Sequence, residues 1–257
     1  MLVMKVCVLG SSSEGNATAV WTDETYILVD AGFSARQLED RLVSIGLAPK
    51  NLKGIVVSHE HTDHTRGARV LSKRYGVPVY ANRTTFALAR DLEDIADKRT
   101  FRSHRQFSIG ELDITPLVVP HDASEPNAFV ITCDGRKITI ATDLGTHTPA
   151  FLRHAKNSDL IVLESNYDHR MLVKGSYPPM LKERILSDFG HLSNSAAAKT
   201  LRQLIGSSTR HVLLAHLSQN NNTPDTAMSS AEKLLKDFSE VEVGLTFPHR
   251  CSRIISL

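Results

Sequence analysis

The sequence predicts an α/β domain in which two β-sheets pack together and helices cover the outside. Three observations predict it. Short β-branched apolar runs alternate with amphipathic helical patterns from end to end, strand-rich and mixed units occur in both halves, and no low-complexity linker divides the chain. With 257 residues, 41% of them hydrophobic and 23% charged, the chain is long enough to bury one substantial core. Residues 1–257 are therefore read as a single domain.

The elements follow in order. "KVCVLG", "TAVWTD" and "YILVDAG" are strand-like. A helix starts after Ser34, whose hydroxyl suits an N-cap, and Gly46 marks its stop. "GIVVSH" reads as a strand that runs into a histidine cluster. "ARVLSKRYG" is helical, "VPVYAN" a strand and "RTTFALARDLED" helical again. From Phe107 to Thr142 the chain is strand-rich, with Asp134-Gly135 as a hairpin turn. "DLIVLES" and "HVLLAH" are later buried strands, and helices are expected near 179–187, 194–205 and 224–238.

The composition sets outer limits on function. A net charge of +2 does not by itself announce a nucleic-acid binder. No apolar run approaches a membrane span, and "MLVMKVCVLG" lacks the order of a secretion signal. Three scattered cysteines, Cys7, Cys133 and Cys251, form no C-x-x-C pair, which removes zinc ribbons and dithiol redox motifs. The expectation is a cytoplasmic protein with free thiols and no membrane partner. No G-x-S-x-G elbow and no Walker lysine is present, so serine hydrolases and P-loop nucleotide binders are disfavoured.

The chemistry concentrates in "VVSHEHTDHTRG", where His59, His61, Asp63 and His64 crowd the end of an apolar run. Imidazole and carboxylate suit zinc, manganese or iron. On a loop, alternate residues turn toward one point, so His59 and His61 suit one ion while Asp63 and His64 face another. Further ligand types close later strands: His121 after "LVVP", Asp143 after "ITIAT" and His216 after "VLLA". Seven such groups are the number needed for two divalent metal ions sharing a carboxylate.

The pattern HxHxDH, then a histidine, an aspartate and a histidine, each after a strand, resembles the metallo-β-lactamase superfamily. That resemblance implies its αββα sandwich of two mixed sheets packed face to face with helices outside. "LGSSSEGNAT", "VDAG", "ESNYD", "ILSDFGHLSN" and "AHLSQNNNTP" narrow it to the YycJ-type branch, a bacterial family regarded as exonuclease-like. The similarity spans nearly the whole chain. By position it implies that His59, His61 and His121 hold one metal, that Asp63, His64 and His216 hold the other, and that Asp143 bridges. Asp30 of "VDAG" would orient a ligand histidine, or form a turn before Ala31-Gly32. "DFGHLSNSAAA" resembles the histidine loop of the tRNA-processing branch, which would set His191 at the scissile phosphate with Glu164 orienting it. Alternatively, His191 merely precedes a capped helix.

Relatives with di-iron redox chemistry usually carry glutamate where this chain has His61, which favours hydrolysis. The resemblance thus implies a phosphodiesterase acting on nucleic acid through a metal-bridging hydroxide, in particular a 5′-to-3′ exonuclease on duplex DNA with a free 5′ end. Hydrolysis of a small ester, thioester or lactone is the alternative enzyme, and a metal-stabilised binding module the non-enzyme one. No inserted arm or additional domain of the kind other nucleic-acid branches carry is apparent. Candidate substrate contacts are Ser13 and Asn16 in the first loop, then Lys174, Tyr177, Lys182 and Arg184 between Glu164 and His191. Two further basic runs, around Arg69 and around Arg102 with Phe101 between the charges, are either solvated faces or substrate tracks.

Overall fold

In the computed structural model, which describes residues 2–257, the continuous apolar runs become strands buried on both faces. One sheet carries β1 (Lys5–Ser12), β2 (Gly15–Trp21), β3 (Tyr26–Val29), β4 (Gly54–Val56), β5 (Val79–Ala81) and β6 (Lys98–Thr100) side by side. The second holds β7 (Phe107–Ile109), β8 (Leu112–Val118), β9 (Asn127–Cys133), β10 (Arg136–Ala141), β11 (Leu160–Glu164), β12 (His211–Ala215) and β13 (Glu242–Leu245), also in chain order. The last strand, β14 (Ile255–Ser256), returns to the first sheet beside β1.

Alternation along each strand explains the layers. Val6 and Val8 of β1 face the space between the sheets, while Cys7 and Leu9 face outward. In β12, Leu213 and Ala215 point inward, while Val212 and Leu214 point out. The inner layer joins Val20, Ile27 and Val56 of one sheet to Phe129, Ile140 and Val162 of the other. Each such side chain contributes about 1.5–3 kcal/mol when fully buried. Because both faces are covered, these strands read as unbroken apolar runs.

Helices α1 (Ala35–Ser44), α2 (Thr62–Thr65), α3 (Ala68–Tyr75) and α4 (Arg83–Leu88) belong to the first half. Those of the second are α5 (Pro149–Ala155), α6 (His169–Lys174), α7 (Pro179–Leu186), α8 (Asn194–Leu204) and α9 (Pro224–Leu235). Leu38, Leu42 and Leu71 of α1 and α3 cover the first sheet, and Phe151, Leu201 and Ala231 of α5, α8 and α9 cover the second. Ser34 caps α1 in a reciprocal capping box with Gln37.

Several boundaries depart from expectation. The "RTTFALARDLED" helix ends at Leu88; Ala89 is extended, and the turn beyond it presents Asp91, whose carboxylate accepts from Thr65 Oγ1 at 3.0 Å. A distant partner thus overrides a locally helical stretch. The strand in "GIVVSH" stops at Val56. The histidine segment is not wholly a loop, since Asp63 and His64 lie in the helical turn α2. Edge strand β6 has no buried residue and so carries no apolar signal. Phe101 is no surface aromatic: it is buried and stacks on Phe107 at 5.3 Å.

Candidate metal centre

Strands β3 and β4 run parallel, as do β10, β11 and β12. Two antiparallel steps, β8 to β9 and β9 to β10, give β8 the direction of β10. The C-terminal ends of all six therefore deliver Asp30, His59, His121, Asp143, Glu164 and His216 to the crevice outside the carboxyl ends of the strands, where ligands gather in open α/β sheets. Two of these residues, Asp30 (φ 61°) and His216 (φ 55°), adopt left-handed backbone that a non-glycine residue occupies at a cost. The chain bends sharply there to turn the side chain into the crevice.

Four histidines share one arrangement. His64 Nδ1 donates to Asp30 Oδ2 at 2.8 Å, and Asp30 is itself held by the backbone N–H (2.8 Å) and hydroxyl (3.0 Å) of Ser58. His59 Nδ1 donates to Ser58 Oγ at 3.0 Å, His121 Nδ1 to the Gly190 carbonyl at 3.1 Å, and His216 Nδ1 to Glu164 Oε1 at 2.8 Å. Each bond commits Nδ1 and leaves Nε2 as the nitrogen available to an ion, as in ligand histidines. His61 instead turns Nδ1 inward, 3.0 Å from His59 Nε2.

Donor atoms lie within 4.8 Å of one another in three sets: His59, His61 and His121; His59, His64 and Asp143; and Asp143, Glu164, His191 and His216. Asp143 belongs to two of them. Its Oδ2 is 2.8 Å from His64 Nε2 and its Oδ1 is 3.2 Å from His216 Nδ1. Asp63 stands just outside these sets, with Oδ2 3.4 Å from His64 Nε2. Glu164 is fully buried and accepts four donors: His191 Nδ1 (2.7 Å), His216 Nδ1, and the backbone N–H of Leu192 (2.9 Å) and Leu144 (3.3 Å). It therefore orients His216 as well as His191.

The donor set fits a divalent ion. His216 Nε2 is buried with no hydrogen-bond partner, and Asp143 Oδ2, though near His64, has no aligned donor. Such orphaned atoms cost free energy until a partner meets them, and a divalent ion replacing the ring proton would meet both. Electrostatics agrees. Burial pulls His216 down, but Asp143 and Glu164 override it and raise it to about 9. Burial likewise opposes a charged His64, yet Asp30, Asp63 and Asp143 hold it well above the ordinary imidazole range. Burial would raise Asp143, but His216 and His64 keep it well below the carboxylate range. Burial, with His64 adding, drives His59 well down, and burial with His121 lowers His61. Protons thus occupy part of a cluster that calls for cationic charge.

A cavity of about 230 Å³ opens onto the cluster, and Asp63, Asp143, His191, Tyr177, Leu181 and Arg184 are among the residues that line it. Of the sequence-nominated substrate contacts, Ser13, Tyr177 and Arg184 line this cavity. Asn16 is buried, and its amide donates to Ser12 O (3.1 Å) and Asp63 Oδ2 (3.3 Å), so it supports ligands. Lys174 and Lys182 lie outside the lining, and Lys182 Nζ donates to Val173 O at 2.8 Å. Arg184 pairs with Asp122, whose other oxygen is 3.1 Å from His121 Nε2. Sequence reasoning missed Ser58 and Ser11. The Ser11 hydroxyl accepts from His216 N–H (2.9 Å) and donates to Asn16 Oδ1 (2.7 Å). A lone serine gives no such signal in a sequence.

A sandwich with this histidine–carboxylate cluster at one edge defines a metal-dependent hydrolase. The profile of the family described as "Beta-lactamase superfamily domain" matches residues 25–217. The chain is 37% identical over 233 residues to "Exodeoxyribonuclease YycJ" of Bacillus anthracis, covering 90% of this chain and 88% of that one. It is 33% identical over 249 residues to "Exodeoxyribonuclease WalJ" of Streptococcus pneumoniae, covering 95% and 92%. The chain therefore belongs to the metallo-β-lactamase superfamily, in its YycJ-type branch. Among solved structures, YhfI from Bacillus subtilis is similar with a TM-score of 0.77 at 18% identity, covering 99% of this chain and all of that one. The short form of human tRNase Z is similar with 0.67 at 17%, covering 97% and 98%. Both share the fold. Among the described residues no helix is long and apolar enough to cross a membrane.

Proposed function

We propose that the chain is a dinuclear-metal phosphodiesterase on nucleic acid, a 5′-to-3′ DNA exonuclease acting on duplex with a free 5′ end. The observation that carries this reading is the inward convergence of four anchored histidines around Asp143, in a chain 37% and 33% identical to two proteins named as exodeoxyribonucleases. In it, His59, His61 and His121 hold one ion, Asp63, His64 and His216 the other, and Asp143 lies between. Zinc or manganese suits these donors, with iron a third candidate. Because both sheets contribute ligands, residues 1–257 act as one domain.

Two bound divalent ions supply Lewis acidity toward the scissile phosphate and a solvent nucleophile at neutral pH. The chain's own groups do the rest. Burial lowers His191, but Glu164 outweighs it and raises the ring above its ordinary pKa, which favours the protonated ring as a proton source. With Nδ1 committed to Glu164, that proton source is Nε2, which serves the departing 3′-oxygen. Arg184, Tyr177 and Ser13, which line the cavity, meet the phosphate backbone, and Lys174 and Lys182, outside the lining, add positive charge. A cavity of about 230 Å³ opens beside the cluster. Its polar lining supports a phosphodiester over an acyl ester, which needs an apolar pocket. A cytoplasmic setting, where the three free thiols stay reduced, completes the reading.

The test is metal-loaded protein incubated with end-labelled 5′-phosphorylated and 5′-hydroxyl duplexes, with Asp143→Ala alongside. Mononucleotide release from the 5′ end, abolished in the variant, is expected. A protein that binds its ions yet cleaves no phosphodiester with zinc, manganese or iron overturns the proposal.

A further inference from the structure

Behind the cavity, the loops that carry Glu164, His191 and His216 meet at two buried carboxamides that the proposed reaction does not use. Asn194 opens α8, Asn222 lies just ahead of α9, and both are buried. Their side chains pair face to face: Asn194 Nδ2 donates to Asn222 Oδ1 and Asn222 Nδ2 donates to Asn194 Oδ1, each at 2.9 Å. The pair also reaches outward. Asn222 Nδ2 is 2.9 Å from the carbonyls of both Ser165 and Asn166, directly after Glu164. Asn194 Oδ1 accepts from Ser165 Oγ at 2.7 Å, and Asn222 Oδ1 from Thr223 N–H at 2.9 Å.

Backbone bonds carry the connection to the reacting groups. Asn166 N–H donates to Leu192 O (2.9 Å), Ser218 N–H to Asn166 O (2.8 Å), and Asn166 Nδ2 to His216 O (2.8 Å). One amide pair therefore joins the segment after Glu164, the segment from His191 into α8, and the segment after His216. For stability alone, apolar residues fill such a space at no desolvation cost, whereas buried amides must have every group partnered. Here all the polar atoms of the pair are partnered, and what they join is the Glu164–His191–His216 arrangement.

We propose that Asn194 and Asn222 are positioning residues for the phosphodiester reaction: their amide pair sets His191 relative to His216 through the loop of Glu164. The proposal rests on the nuclease reading. Loss of the pair loosens three loops at once and misplaces the proton donor, while Arg184, paired with Asp122 and bonded to neither carboxamide, still meets the substrate. Turnover suffers and substrate binding does not.

The experiment compares metal-loaded full-length Asn194→Ala, Asn222→Ala and the double variant with the parent chain. It measures kcat and KM on a 5′-phosphorylated duplex, and amide hydrogen exchange at Leu192 and Ser218 in the metal-free chains. Asn222→Asp keeps the volume and one acceptor but lacks the donors, and it serves if alanine prevents folding. Each single variant should lower kcat by at least about tenfold, the factor expected for one orphaned buried group, with KM within about twofold. The double variant should be no worse than the poorer single one, because either change breaks the same pair. Exchange at Leu192 and Ser218 should rise by about tenfold or more. A lowered melting temperature with unchanged kcat, multiplicative losses in the double variant, or a rise in KM that accounts for the defect each overturns the proposal. If the parent chain binds ions but cleaves no DNA, the nuclease reading fails, whereas the exchange data still judge the clamp.

Discussion

Glu164→Gln isolates the charge of the buried carboxylate with almost no change of volume. The native carboxylate receives His191 and His216 on Oε1 and two backbone N–H groups on Oε2. Glutamine has one acceptor oxygen, so its amide nitrogen must face two of those four donors whichever way it is placed. Each orphaned donor costs about 1–3 kcal/mol. If one of them is His216, that ring loses its anchor, and the ion it holds binds about 5–150-fold more weakly. Chelator competition with the loaded protein measures this. A metal-free series adds a sign. His216 is raised to about 9, so its pairing stabilises fully below the unfolded value of about 6.5 and fades as pH climbs through about 9. Glu164 is depressed, with burial opposing and His191 leading the effect, so its share is present above the unfolded value of about 4.3 and disappears toward acid. The melting temperature gap between parent and variant should be widest between about pH 5 and 6.5 and shrink toward pH 9. Ion affinity within twofold of the parent, with no gap in melting temperature at pH 6, would refute the reasoning.

Other perturbations reach different parts of the molecule. In Gly32→Ala the new Cβ would sit 1.6 Å from Asp63 O and 2.3 Å from Asp63 C; backbone cannot yield there without moving α2, so calorimetry should find a destabilisation of about 1–3 kcal/mol or more and mass spectrometry a reduced ion count. Neutralising Lys174, Lys182 and Arg184 together should weaken DNA binding and reduce the slope of log K against log salt by about 1 for each phosphate that is no longer neutralised; an unchanged slope removes these residues from the interface. Glu111 is buried enough to be raised, yet hydroxyls of Thr22 and Thr25 outweigh that and lower it. Its contribution is present above about pH 4.3 and disappears as pH falls through the lower folded value, so Glu111→Gln should cost stability at pH 7 and little at pH 3 in urea titrations.

The layers and most strands were legible in the sequence because burial on both faces writes an unbroken apolar run, as in "LIVLE" of β11 and "HVLLA" of β12. The ligand candidates were legible for a related reason. His59, His61, Asp63 and His64 share one short segment, and His121, Asp143 and His216 each mark the end of an apolar strand. Local spacing records both kinds of signal. It records less where a distant group decides the outcome: Ala89 leaves the helix beside the Asp91–Thr65 bond, and Phe101 is drawn into the aromatic stack on Phe107.

The sequence by itself determined which residue types stand at the strand ends, and with them a sandwich able to gather histidines and carboxylates. Only the tertiary structure decided what each of them faces. Ser58 reaches Asp30 across 28 residues, Glu164 reaches His216 across 52, and Ser11 reaches the backbone of His216 across 205. A ligand nitrogen is selected by the hydrogen bond its other ring nitrogen makes, and that partner is a neighbour in space, brought there by strand direction and sheet packing.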